Sequence, residues 1–148
     1  MRNLYNDCIV ELREMIPDSQ YEEIVTQHGC EYDLDFLGFA HIYKNLSEII
    51  PKEHIVIDFG CYLAVQSYFF KDHEKYIGVD TESLKRFKPD NATHYVCSIQ
   101  DFIKNESGNL LKEYKNHRIF AICSFVPDFE AAKLVRDTFE NVFCYYPF

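Results

Sequence analysis

Two different patterns of hydrophobic residues divide the chain at about residue 50. In the first part, apolar residues recur every three or four positions, as they do along one face of an α-helix. This spacing predicts three helices, over residues 4–15, from 18 to about 28, and from about 36 to 50. We therefore expect residues 1–50 to form a helical extension, or cap, ahead of a second unit.

From Pro51 onwards, short apolar runs alternate with amphipathic segments, which is typical of strands alternating with helices. Runs such as Ile119–Cys123 are continuously apolar, as in strands that are buried on both faces of a parallel sheet. The predicted strands are 54–59, 75–80, 93–97, 117–123 and 141–147, with helices near 63–71, 82–87, 100–115 and 127–139. Residues 51–148 are therefore predicted to form a doubly wound, mostly parallel α/β sheet with helices on both faces and ligands at the carboxyl ends of the strands.

Composition narrows the classes of function. No stretch of the 148 residues approaches the roughly 20 apolar residues that cross a bilayer, and the first residues lack the apolar segment of a signal peptide. We expect a cytoplasmic protein with no membrane contact. The six cysteines include no Cys-x-x-Cys pair, so we expect reduced thiols. The net charge of −9 and the lack of a basic cluster argue against nucleic acid as the partner.

The candidate chemistry lies where the first two predicted strands end. The first apolar run leads into Asp58-Phe59-Gly60, and the second ends at Asp80. An apolar strand that ends in Asp-x-Gly, followed by a second strand that ends in an acid, is typical of the opening of a nucleotide-binding β-α-β unit. The loop between them has one glycine where such loops usually have two or three, and Tyr62 lies in its middle.

On these residues, the segment 51–148 resembles the class I S-adenosylmethionine-dependent methyltransferase domain. In that family the first strand ends in the cofactor-binding motif Asp/Glu-x-Gly-x-Gly-x-Gly. Asp58 and Gly60 match it, whereas Tyr62 and Ala64 replace the second and third glycines, and the resemblance implies that Asp58, Gly60 and Tyr62 border the cofactor. The acid that ends the family's second strand binds the ribose hydroxyls, and Asp80 matches it. The resemblance implies a shortened Rossmann-like fold of strand order 3-2-1-4-5, with S-adenosylmethionine as cofactor and a transferase activity.

The resemblance also implies roles for residues after the third and fourth strands. Ser98 and Ile99 occupy the positions whose acid and small residue read the adenine in the family, so both depart from the pattern. Ser124, Pro127 and Asp128 occupy the region where many members contact the methyl acceptor, without the motifs of the members that methylate nucleic acids. The implied acceptor is a small molecule or a protein. No catalytic residue is identified, and we expect no metal site.

Each of these residues also has a structural interpretation. Asp58 and Asp80 could cap the helices that follow their strands, and Ser98 could cap a helix that begins near residue 100. The Tyr62 ring either enters the cofactor space or turns outward and forms a wall. Two functions remain open: a methyltransferase-like enzyme with a weakened or lost cofactor site, and a non-catalytic binding or regulatory module (a pseudoenzyme) on the same fold. A third, less favoured reading is a doubly wound protein that binds another nucleotide.

The last predicted strand is rich in aromatic residues and would form an edge of the sheet. Apolar edges invite pairing with another strand. We expect this edge to pair with a second copy, as a homodimer, or with a partner, unless the N-terminal helices cover it.

Overall fold

A computed structural model describes residues 4–23, 40–83, 88–124, 126 and 128–144 of the chain. Within these ranges, side chains are described for residue 8 and from residue 10 onwards. The chain divides into two units, Met1–Ile50 and Pro51–Phe148.

The described part of the first unit contains the helices α1 (Leu4–Met15) and α2 (Ala40–Ile49), and residues 18–23 are also helical. The remainder of the second predicted helix and the start of the third lie outside the described residues. Lys44 of α2 forms an ion pair with Glu11 of α1 and donates a hydrogen bond to its carboxylate. This hydrogen bond raises the pKa of Lys44. That this unit caps the second one stays a prediction.

The second unit is built on a five-stranded sheet in the order β3-β2-β1-β4-β5, and every pair of neighbouring strands is parallel. The predicted α/β class and the predicted order 3-2-1-4-5 are confirmed. The strands are β1 (Ile55–Phe59), β2 (Lys75–Asp80), β3 (Ala92–Val96), β4 (Ile119–Cys123) and β5 (Asn141–Cys144). The helices among the described residues of this unit are the 3-10 helix Val65–Phe70, α3 (Ile99–Asn105), α4 (Ser107–Glu113), the short 3-10 helix Asn116–Arg118, and α5 (Phe129–Thr138).

The side chains of the strands point alternately to the two faces of the sheet, and helices pack around it. On one face, Phe59 and its neighbours form a hydrophobic core with α3, α4 and α5. Phe59 packs edge-on against Phe102 of α3, with ring centroids 5.6 Å apart. On the other face, the 3-10 helix Val65–Phe70 packs on β2, where the ring centroids of Phe70 and Tyr76 lie 5.7 Å apart.

The elements differ from the sequence prediction mainly in the helices. The predicted helix 100–115 is two helices, α3 and α4, which meet at Glu106. Two weak helix formers, Ser107 and Gly108, follow this point, and the Ser107 hydroxyl donates to the carbonyl of Ile103. The predicted helix 63–71 is a 3-10 helix, and most of the predicted helix 82–87 lies outside the described residues.

The position of β5 agrees with the expectation of an edge strand. It pairs with β4 on one side, and its four described residues are half-buried. Pairing of this edge with a second copy or a partner stays a prediction. Among the residues described, no helix has the length and apolar character needed to cross a membrane.

Candidate functional site

The loop after β1 has an unusual backbone conformation at three alternate positions. Gly60, Tyr62 and Ala64 have φ angles of 79°, 51° and 59°, all in the left-handed region. A non-glycine residue there costs about 1–2 kcal/mol. These are the three positions at which the resemblance stated above expects glycine. The loop therefore has left-handed backbone at all three positions, although only Gly60 is a glycine.

Asp80, at the end of β2, holds this loop in place. Its Oδ2 accepts a hydrogen bond from the backbone N–H of Tyr62 at 2.9 Å, and its Oδ1 accepts one from the N–H of Glu82 at 2.9 Å. The N–H of Gly60 also donates to the carbonyl of Val79 at 2.8 Å. Because the carboxylate accepts the N–H of a strained residue, it compensates part of the cost of the left-handed conformation.

A cleft of about 230 Å³ opens where the strands end. It is lined from the ends of β1, β2 and β3, from the segment after β4, and from the start of α5. Five of the predicted site residues line it together: Gly60, Asp80, Ser98, Ile99 and Asp128. The doubly wound fold places its crevice at this edge because the crossovers leave the sheet in opposite directions from β1.

Three other predicted site residues do not line the cleft. Asp58 is 0% exposed and accepts hydrogen bonds from the hydroxyl of Tyr76 at 2.5 Å and from Nε2 of Gln66 at 2.8 Å. Ser124 is buried directly after β4. Tyr62 is absent from the described residues around the cleft. Pro127 lies outside the described residues.

The position of Tyr62 bears on whether a ligand could enter. Its side chain is 42% exposed, and its backbone N–H donates to Asp80. Tyr62 is not among the described residues that line the cleft, so its ring does not form a wall of the described part. The position of the ring relative to a bound cofactor stays a prediction.

Two of the residues that line the cleft also cap helices. Ser98 Oγ accepts the N–H of Asp101 at 3.0 Å at the start of α3, which confirms the predicted capping role. Asp128 Oδ1 accepts the N–H groups of Glu130 at 2.9 Å and Ala131 at 3.3 Å at the start of α5. These bonds give both side chains fixed positions at the edge of the cleft.

The charged side chains among the described residues that line the cleft are acidic. Asp80 and Asp128 contribute two carboxyl groups, and no lysine, arginine or histidine occurs among the described residues that line it. The pKa of the Cys97 thiol, which also lines the cleft, is raised by burial and then by the charges of Asp101 and Glu106. Such a cleft suits hydroxyl groups and positive charge better than phosphate, which is usually bound by basic side chains or clustered N–H groups.

Sequence reasoning missed the side chains that engage Asp58. Tyr76 and Gln66 bind its carboxylate, and Gln66 Nε2 also donates to the carbonyl of Cys61 at 3.0 Å. The available signal was an acid inside an otherwise apolar strand, since a buried carboxylate requires hydrogen-bond donors nearby. No three of the described His, Cys, Asp and Glu side chains form a cluster that could hold a metal ion.

Fold and site together define a doubly wound α/β protein with an acidic cleft at the carboxyl edge of its sheet. The chain matches no protein-family model, and comparison with curated proteins and with solved structures gives no significant match.

Because the backbone at position 62 is left-handed, we expect glycine there to give a more stable protein than alanine, which is the reverse of their order in a helix. We expect Tyr62→Gly to be more stable than Tyr62→Ala by about 1 kcal/mol, because alanine keeps the strain at φ 51° that glycine removes. The comparison of the two variants cancels the loss of the tyrosine ring. Urea unfolding of both variants measures the difference. Equal stability, or alanine above glycine as in a helix, would contradict the left-handed assignment.

Proposed function

We propose that this protein binds S-adenosylmethionine, or a closely similar nucleoside, in the cleft at the ends of β1, β2 and β3, as a methyltransferase-like protein. The observation that carries the proposal is the pairing of Asp80 with the loop after β1. An acid at the end of β2 holds a loop with left-handed backbone at all three motif positions, next to an open cleft.

The charges of the cleft support this ligand over phosphate-bearing nucleotides. S-adenosylmethionine has no phosphate; it carries a positive sulfonium, an amino group, a single carboxylate and two ribose hydroxyls. Asp80 and Asp128 complement the sulfonium, the amino group and the hydroxyls, whereas the phosphates of a dinucleotide would meet two carboxylates and no basic residue in the described lining. A phosphate-bearing dinucleotide is therefore disfavoured.

The ribose hydroxyls are proposed to bind Asp80, which lines the cleft at the end of β2. Its Oδ2 accepts the N–H of Tyr62 and its Oδ1 accepts the N–H of Glu82, and a carboxylate oxygen can accept about two hydrogen bonds. Ile99 offers an apolar surface and Ser98 a hydroxyl near the positions where the resemblance places the adenine. In this proposal Asp80 both holds the loop and binds the ligand.

Methyl transfer would need little acid-base catalysis from these residues. The cofactor, when bound, supplies an already activated methyl group. The chain's own part is to orient the ligand and an acceptor in line, which contributes rate through positioning. Asp128, at the start of α5, lies on the side that the resemblance assigns to the acceptor, which we propose to be a small molecule or a protein.

A second function, a non-catalytic binding or regulatory module, has its own support. The cleft of about 230 Å³ is below the roughly 300 Å³ at which ligand pockets usually begin. Asp58, the first acid of the motif, is engaged with Tyr76 and Gln66 instead of the cleft. Both features fit a fold that has kept its framework and lost the cofactor.

Calorimetric titration with S-adenosylmethionine and S-adenosylhomocysteine tests the proposal. We expect micromolar affinity, weakened about 10-fold or more in Asp80→Asn through the loss of charge-assisted hydrogen bonds. The matched control is Asp72→Asn, an exposed aspartate after the 3-10 helix Val65–Phe70. No heat with either ligand for the wild-type protein would reject cofactor binding and favour the binding module.

Alkylation of Cys97 gives a second readout that does not depend on a folded Asp80 variant. Cys97 lines the cleft, whereas Cys144 is on the edge strand β5 and is absent from the described lining. We expect bound ligand to slow the reaction of Cys97 with iodoacetamide and to leave Cys144 unchanged, as measured by peptide mass spectrometry. Equal protection of both thiols would indicate a general change in stability rather than occupation of the cleft.

We further propose a cytoplasmic location. None of the five described cysteines is part of a disulfide, which fits a reducing compartment.

A further inference from the structure

Two cysteines face each other across the edge of the sheet. Cys123 of β4 and Cys144 of β5 lie opposite each other in the register of the two strands. Both pack into the hydrophobic core on the face of the sheet that α3, α4 and α5 cover. Neighbouring strands are about 4.7–4.9 Å apart, and disulfides span Cα distances of about 4.4–6.8 Å. The backbone therefore already holds the two residues at a separation that a disulfide can bridge.

The two thiols have different surroundings. Cys123 is 0% exposed, and burial followed by the neighbouring Cys144 raises the pKa of its thiol. Cys144 is half-buried, and Nη1 of Arg136 lies 3.7 Å from its Sγ. An accessible sulfur beside a cation, next to a buried second thiol, is the arrangement of an attacking cysteine and a resolving cysteine.

We propose that Cys123 and Cys144 are a redox-active pair that forms a reversible intramolecular disulfide. The oxidant is a small-molecule disulfide of the glutathione type. The Cys144 thiolate attacks one of its sulfurs, forming a mixed disulfide and releasing one thiolate. The Cys123 thiol then gives up its proton to the released thiolate or to water as its sulfur attacks Cys144 Sγ, which forms the internal bond, breaks the mixed disulfide and releases the second thiolate. The protein loses two hydrogen atoms, and the oxidant is reduced to two thiols.

This bond would constrain the part of the chain that borders the cleft. The loop that it closes contains α5, which is capped by Asp128 and has Ala131 in its first turn, and both residues line the cleft. Closing a loop of this kind removes conformations from the unfolded chain and so favours the folded state. The pair does not depend on the ligand proposed for the cleft.

The order of the strands supplies a matched control. Cys97 is also half-buried, but it follows β3, at the opposite edge of the sheet from β5. Three strands separate these edges, so Cys97 cannot reach Cys144 in the folded protein. The variant Cys97→Ser should leave the proposed disulfide intact, whereas Cys144→Ser should abolish it.

The test is incubation of the folded protein with oxidised glutathione, followed by alkylation and peptide mapping by mass spectrometry. We expect a Cys123–Cys144 linked peptide in the wild-type protein and in Cys97→Ser, and its reversal by dithiothreitol. The oxidised form should unfold at a temperature higher by about 5 °C or more than the reduced form.

Two results would overturn the proposal. One is that Cys144 carries glutathione as a stable mixed disulfide and never links to Cys123. The other is that the linked peptide forms only after the protein is unfolded in urea, which would show that the folded strands do not hold the thiols in a bonding geometry.

Discussion

Replacing Asp58 with alanine should lower the free energy of unfolding by about 3–5 kcal/mol, since buried donors left without an acceptor cost roughly 1–3 kcal/mol each. Asp58 is fully buried in β1, and it accepts from the Tyr76 hydroxyl and from Gln66 Nε2. Gln66 also binds the carbonyl of Cys61, so the carboxylate joins β1, β2 and the 3-10 helix Val65–Phe70. Urea unfolding measures the loss.

Two conservative variants separate the hydrogen bonds from the shape of the side chain. Asp58→Asn keeps the shape and one acceptor oxygen, and it should cost about half as much as alanine. Tyr76→Phe removes one donor, and its effect should not add to that of Asp58→Asn, because the two residues share a bond. If these variants were as stable as the wild-type protein, the hydrogen bonds around Asp58 would not stabilise the fold as described.

The same Asp58 variants distinguish a structural role from a cofactor role. The methyltransferase resemblance assigns Asp58 to the cofactor, whereas the structure places its carboxylate away from the cleft lining. If S-adenosylmethionine binds, Asp58→Asn should retain the wild-type affinity as long as it is folded. A folded Asp58→Asn protein with weakened binding would return Asp58 to the site.

Replacing Gly78 with alanine should lower the free energy of unfolding by about 2–3 kcal/mol, a typical cost of overpacking a core. A Cβ atom at Gly78 would lie 2.5 Å from His94 Nδ1 and 2.8 Å from Cys61 Sγ. Gly78 is in the interior of β2, between β1 and β3, so the backbone has little freedom to move away. Thermal and urea unfolding both report the loss.

The chain supplies a control for this glycine. At Gly108, within α4, an added Cβ meets nothing within 4 Å. Gly108→Ala should therefore stabilise the protein by about 0.5–1 kcal/mol, because alanine is the better helix former. In addition, Cys61→Ala should reduce the cost of Gly78→Ala by removing one of the clashing atoms. A neutral Gly78→Ala would show that His94 and Cys61 do not press against β2.

The sequence predicted the fold more completely than the site. Continuous apolar runs and their spacing were enough to predict a mostly parallel sheet of five strands, because strands buried on both faces have few other patterns. The order of the strands was predicted from the resemblance to the methyltransferase domain. The helices were less predictable. The break at Glu106 depends on local hydrogen bonding, and the loop after β1 ends in a 3-10 helix whose residues are all buried.

For the candidate site, position along a strand mattered more than residue type. Asp80, at the end of β2, and Ser98, just after β3, both line the cleft. Asp58 is also in the terminal part of a strand, but two residues before Gly60, and its side chain packs inside the fold. One or two positions decide between cleft and core, and a sequence pattern does not resolve that difference.

By itself, the sequence determined the class of fold, because continuous apolar runs that alternate with amphipathic segments are typical of a parallel sheet with helices around it. The strand order followed from the resemblance to a known family. Only the tertiary structure decided which side chains share the cleft, that the Tyr62 ring stays out of its described lining, and that Cys123 faces Cys144. Those facts depend on left-handed backbone angles and strand register. Both arise from packing between segments far apart in the chain.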